Sequence, residues 1–251
     1  DESIINGGFT ITSPNVTIDG FTFNGSISAV EFNTAGTTVK NNIVSSSSVE
    51  GSFRTEHIST VASNTVISQN KFTSGDVDIR YLGNKNIKAS GIVIENNRSS
   101  NPRTFLVLNN TEGADVTGNA VSSATGTAIA LQGGNKDLSI TRNNIQGARN
   151  PITLDKQYIT GGIGYSKNSN VTVQYNNLLG INDANSYSRV QKDAVEGDVL
   201  VNMTKNFWGA PEGPYDLNND VSNPKTNSLQ PSFEYGGVRQ YIDYSSWLCQ
   251  P

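Results

Sequence analysis

Along this chain an apolar, a polar and a second apolar residue are followed by two free positions, an asparagine, one further position and a last apolar residue. The order returns about eight times. Its clearest copy is Val171-Thr172-Val173-Gln174-Tyr175-Asn176-Asn177-Leu178, residues 138–145 repeat it, and weaker copies centre on Ile18, Val39, Ile67, Ile94, Val116 and Met203. Period-two alternation turns Val171 and Val173 to one side of a strand and Thr172 to the other. Three residues beyond each centre stand Phe21, Asn42, Asn70, Asn97, Asn119, Asn143, Asn176 and Asn206, spaced 21 to 33 residues apart with a mean near 26. A strand-bearing repeat of that period is one coil of a solenoid, so the pattern predicts an all-β parallel β-helix of about eight coils.

The asparagine marks a bend. Its backbone tolerates the left-handed and bridge conformations that a sharp corner needs, and its amide can bond groups the corner leaves unpaired. Stacked at the rung spacing of about 4.8 Å, the amides of Asn42, Asn70, Asn97, Asn119, Asn143, Asn176 and Asn206 are expected to bond one another as a structural ladder. Phe21 occupies the first register position, so the ladder should begin one coil later. Asn168 falls outside the register and is expected to matter little.

A second set of alternating strands lies between each bend and the next copy, at 29–32, 77–81, 105–108, 128–131 and 151–154, and should stack into another sheet. Extra residues of the longer coils belong in loops, for which 45–55, 84–90, 157–170 and 181–197 are the candidates. After Trp208 the repeat stops. We therefore divide the chain into a parallel β-helix, 1–208, and a C-terminal cap of the same domain, 209–251, in which Trp208, Tyr244 and Trp247 cover the last coil.

The 251 residues are 35% hydrophobic with a mean hydropathy of −0.40, which is lean for a globule but suits a solenoid one strand thick with wet faces all round. Charged residues make up only 16%, with a net charge of −4 and no basic cluster. Nucleic acid is thereby disfavoured, since phosphate neutralisation needs concentrated lysine and arginine. No apolar run approaches the length that spans a bilayer, and no signal peptide is present, so the chain reads as a mature protein or an excised domain. The single cysteine, Cys249, has no partner within the chain for a disulfide.

The repeats, with Asn206-Phe207-Trp208-Gly209-Ala210-Pro211-Glu212-Gly213-Pro214 and the closing Asp243-Tyr244-Ser245-Ser246-Trp247-Leu248, resemble the right-handed parallel β-helix domains of secreted and surface-anchored microbial proteins in the pectate-lyase-like superfamily. The resemblance implies an extracellular or cell-surface location and a capped right-handed helix. It does not imply one reaction, because that superfamily spans lyases, hydrolases, epimerases, tailspikes, adhesins and non-catalytic modules.

Enzymatic members work on the outer face of one sheet. If Val30, Phe32, Ile79 and Tyr81 point inward, alternation turns Glu31, Asp78 and Arg80 outward, and His57 lies in the intervening coil. Glu31, His57, Asp78 and Arg80 are the candidate catalytic set, with Asp78 and Glu31 as oxygen ligands for Ca²⁺ and Arg80 acting on a sugar acid in a lyase or epimerase. Asp155 beside Lys156, or Asp76 with Asp78, would serve a hydrolytic reading. Asp183, Asp193, Glu196 and Asp198 make an acidic loop without EF-hand spacing. The leading expectation is non-catalytic: a module for polysaccharide or surface binding, an adhesin in kind, with Tyr81, Phe105, Tyr158 and Tyr187 as candidate sugar-stacking residues. No cofactor is expected under that reading, Ca²⁺ belonging only to the enzymatic one. The expected partner is a polysaccharide or cell-surface glycan, with no membrane insertion, and a third reading is a structural unit that stacks end to end into a fibre.

Overall fold

The computed structural model describes residues 3–24, 28–45, 48–52, 62–73, 75–82, 88–158, 165–180, 187–190, 194–196, 201–209, 230–232, 242–243, 246 and 248–250. Among them every strand pairing is parallel except one, Gln157–Tyr158 with Tyr165–Ser166, which lies in the predicted loop 157–170. The parallel strands form three long sheets, so the chain is an all-β parallel β-solenoid. Sheet C holds the apolar-x-apolar strands of the repeat, and sheet B holds the second alternating set. Sheet A was not anticipated. Most of its strands, such as Lys71–Thr73 and Arg98–Ser100, begin directly after the ladder asparagine and bury a single residue each.

The first coil with all three strands runs through Thr17–Asp19, Phe21–Asn24 and Ser28–Phe32, and the last through Ser169–Gln174, Asn177–Gly180 and Tyr187–Val190. Seven such coils occur among the described residues, with partial coils at either end, slightly fewer than the eight expected.

Each sheet contributes a buried column to one continuous core. In sheet C it is Ile18, Val39, Ile67, Ile94, Val116, Ile140, Val173 and Met203; in sheet A it includes Phe23, Val44, Phe72, Val121, Ile145 and Leu178; in sheet B the pairs Ile79 and Tyr81, Leu106 and Leu108, Ile129 and Leu131, and Ile152 and Leu154 alternate inward. Burying each such aliphatic or aromatic side chain contributes roughly 1.5–3 kcal/mol before conformational entropy is charged against it.

The asparagine ladder runs unbroken. Asn42, Asn70, Asn97, Asn119, Asn143, Asn176 and Asn206 are all buried. Each Nδ2 from Asn42 to Asn176 donates to the Oδ1 of the next at 2.9–3.0 Å, and the backbone N–H of the same residue donates to that oxygen as well. The second Nδ2 proton goes back to a sheet C carbonyl, as from Asn143 to Val116 O at 2.9 Å. Phe21 tops the stack, its N–H donating to Asn42 Oδ1 at 2.9 Å.

The left-handed corner lies one residue earlier than expected. Positive φ falls on Gly20, Asn41, Gln69, Asn96, Gly118, Arg142, Tyr175 and Lys205, each directly before a register position. The ladder asparagines supply amides, and their neighbours bear the backbone strain.

Asn168 corrects a second expectation. It is fully buried, and its Oδ1 accepts from Asn135 Nδ2 at 2.8 Å. Asn135 Oδ1 in turn accepts from Thr111 Oγ1 at 2.9 Å, so Thr111, Asn135 and Asn168 form a shorter ladder at the corner between sheets B and C. It spans only three coils, too few to show as a period.

Beyond Trp208, which is fully buried, Gln230–Ser232 pairs with Tyr187–Val190 in sheet B and Ile242–Asp243 pairs with Val201–Asn202 in sheet C. The N–H of Leu248 donates to Asn206 O at 3.0 Å, at the end of the ladder. The described tail segments thus extend the sheets by further rungs. Tyr244 and Trp247, expected to cover the last coil, lie outside the described residues.

Candidate functional site

One outward-facing column of sheet B can be followed by register through Thr10, Glu31, Arg80, Val107, Ala130 and Thr153. Its middle members are small. Val107, Ala130 and Thr153 sit low enough to be nearly covered by their surroundings, and above them opens a groove of about 490 Å³. Asp76, Arg103 and Gly126 wall it on the side where the strands begin, Gln132 and Asp155 on the side where they end, and Arg80 closes one end.

The groove is charge-balanced. Two carboxylates and two guanidiniums line it. Arg103 Nη1 lies 3.2 Å from Asp76 Oδ1, and Arg80 and Asp155 each have an interaction of their own. The walls therefore offer fixed donors and acceptors above an uncharged floor of a methyl, an isopropyl and a hydroxyl group.

The candidate catalytic set is not assembled. Glu31 and Arg80 do share the outward column, two rungs apart. Asp78 does not join them: it is 1% exposed and accepts a hydrogen bond from Ser99 Oγ, a residue of the inward column of sheet A. The alternation fails there because the first residues of the sheet B strand still turn the corner from sheet A, and the positions in register with Asp78, Phe105 and Ala128, are buried too. Asp78 and Glu31 consequently lie on opposite faces and make no ligand pair for Ca²⁺. Among the described residues no three His, Cys, Asp or Glu side chains gather into a metal-binding group. His57 and most of the acidic loop lie outside the described residues.

Burial raises the Asp78 carboxyl to about 7, the bond from Ser99 lowering it only in part. Among the described residues its Oδ1 has no partner. Asp78 is thus a buried acid with one satisfied oxygen.

Two of the proposed sugar-stacking rings are core residues. Tyr81 is fully buried beside Phe32, with its hydroxyl 2.5 Å from Thr65 Oγ1, and burial pushes its phenol well above the ordinary range. Phe105 is fully buried and packs edge-on against Phe72 with centroids 6.4 Å apart. For Tyr158 and Tyr187 only the strand backbone is described. Sequence reasoning did not find Arg103, Thr127 or Gln132. The signal that was present is the run of small outward residues, Val107, Ala130 and Thr153, at one register position of successive coils.

The fold defines a class, the parallel β-solenoid. Compared with family models, with curated proteins and with solved structures, the chain finds no match in any of the three.

Proposed function

We propose that this chain is an extracellular, non-catalytic β-helix module that binds a polysaccharide along the outer face of sheet B; the resemblance to pectate-lyase-like domains supports the extracellular location. The observation that carries the reading is the groove over Val107, Ala130 and Thr153, walled by Asp76, Arg103, Gln132 and Asp155. Its shape repeats at the rung spacing of about 4.8 Å, so a linear chain laid along the solenoid axis meets equivalent backbone steps at successive units. Sugar hydroxyls both donate and accept, and a wall of carboxylates, guanidiniums and an amide supplies the complementary groups. Because those charges balance, a neutral glycan is the better fit here. The weakly charged exterior, rich in Ser, Thr, Asn and Gly, accords with work outside the cell.

The test is affinity electrophoresis of wild type and Ala130→Tyr through gels containing neutral polysaccharides, with melting temperatures as the check on folding. Tyrosine at 130 fills the floor of the groove from a position on the outer face. Retardation of wild type by a neutral glycan and its loss in the folded variant are expected. Equal migration of the two in every gel overturns the reading. Unsaturated product from any polysaccharide, with or without Ca²⁺, replaces it by the lyase.

A further inference from the structure

The register position directly after the ladder asparagine makes an outward column on sheet A: Thr22, Ile43, Lys71, Arg98, Ala120, Asn144 and Asn177. Lys71 and Arg98 are neighbours on adjacent rungs, both exposed. Like charges directly opposite one another in a sheet repel. Other cations of this molecule do have a carboxylate beside them: Lys40 has Asp19 at 3.3 Å, Arg103 has Asp76 at 3.2 Å and Lys136 has Glu112 at 3.0 Å. Among the described residues neither Lys71 nor Arg98 has an ion pair or a side-chain hydrogen bond.

The two cations stand at one end of a second groove, of about 550 Å³, whose floor drops at Ala120 and whose far end is formed by Asn144 and Gln146. No carboxylate lines it. It lies on a different face from the sheet B groove and has the opposite electrostatic character: uncompensated positive charge at one end, neutral amides at the other. Asn144 is held in place, accepting from Gln146 Nε2 at 3.2 Å and from Asn177 Nδ2 at 2.8 Å.

We infer that the outer face of sheet A is a binding site for a sulfated glycan, with Lys71 and Arg98 holding one sulfate and the amides of Asn144 and Gln146 bonding hydroxyls farther along the sugar chain. A guanidinium fork saturates the two oxygens of a carboxylate. A sulfate ester has three terminal oxygens, enough for the fork and for the lysine ammonium one rung away. Nucleic acid fits poorly, because its closely spaced phosphates would meet two cations and then a stretch without charge on a protein of net charge −4.

The inference extends the glycan-binding reading to another face, and the experiment keeps the two apart. Binding of dextran sulfate, dextran and polygalacturonate is measured by titration calorimetry for wild type, Lys71→Gln/Arg98→Gln, Arg149→Gln/Lys167→Gln and Ala130→Tyr. The first double variant removes a repulsive pair with no ion pair among the described residues, so its fold should be unaffected. Its affinity for dextran sulfate should fall about tenfold or more, the loss of one to two charge-assisted bonds. The second double variant, which removes equal charge elsewhere, and Ala130→Tyr should bind dextran sulfate as wild type does. The inference is overturned if dextran sulfate does not bind wild type, if both double variants weaken equally, or if polygalacturonate binds as tightly as dextran sulfate. Failure of the sheet B reading would show instead as an Ala130→Tyr variant indistinguishable from wild type in the neutral gels.

Discussion

Asp78 and Ser99 meet inside the solenoid: the serine hydroxyl of sheet A donates to Asp78 Oδ2 from the rung above, and both residues are buried. The carboxyl is desolvated, its other oxygen has no partner among the described residues, and its pKa is raised from 3.8 to about 7. Below pH 4 the folded and unfolded chains both hold the proton. Between pH 4 and 7 the unfolded chain releases it first, so the folded state binds more protons and stability falls as pH rises; above 7 the loss is complete.

Asp78→Asn should therefore flatten this part of the profile. At pH 8 the variant is expected to be more stable than wild type, by at most on the order of 4 kcal/mol, and near pH 4 the two should differ little. Urea unfolding at pH 4, 6 and 8 measures this. Parallel profiles for the two proteins would show that the carboxyl is already ionised in the fold at little cost.

Asn143→Ala removes one amide from the middle of the long ladder. The N–H and Nδ2 donors of Asn119 lose their shared acceptor, and Val116 O loses a donor. A cost of about 1–3 kcal/mol or more is expected for buried groups left unpaired. Asn168→Ala should cost a comparable amount, since it breaks the shorter ladder. Asn24→Ala, at an exposed position, should change the melting temperature little. A ranking with Asn143→Ala close to Asn24→Ala would refute the ladder's energetic role.

Tyr81 and Thr65 share one buried hydroxyl pair. Tyr81→Phe strands the threonine hydroxyl and should cost about 1–3 kcal/mol, whereas adding Thr65→Val should recover much of that. The double-mutant cycle from denaturant unfolding supplies the coupling. Additive effects would mean the two hydroxyls do not depend on each other.

Deletion of residues 209–251 would take away Gln230–Ser232, Ile242–Asp243 and the Leu248 N–H that bonds Asn206 O. The edges of sheets B and C at the last coil would then lie open to pairing with other molecules. Light scattering should show aggregation of the truncated chain at concentrations where the full chain is monodisperse. A soluble, monodisperse truncation would make the tail an independent appendage.

By itself the sequence determined the solenoid and its long ladder, because both rest on local, periodic chemistry. Val-x-Val fixes which side of a strand is buried, and an asparagine at each corner repeats often enough to be counted. Other features depend on what stacks beside what. Sheet A escaped notice since a three-residue strand such as Arg98–Ser100 has no alternation to reveal it. Asp78 was assigned to the wrong face because strict alternation was extended through a corner, where the strand has not yet settled into its pleat and the packing against Ser99 decides. The three-member ladder of Thr111, Asn135 and Asn168 changes residue type and has too few copies to form a pattern. Both grooves are likewise tertiary: they arise where small side chains such as Ala120 and Ala130 come into register with larger neighbours from other coils. Coil lengths of 21 to 33 residues scatter those neighbours along the chain, and only the parallel stacking of rungs brings Lys71 beside Arg98 or sets Thr153 next to Ala130.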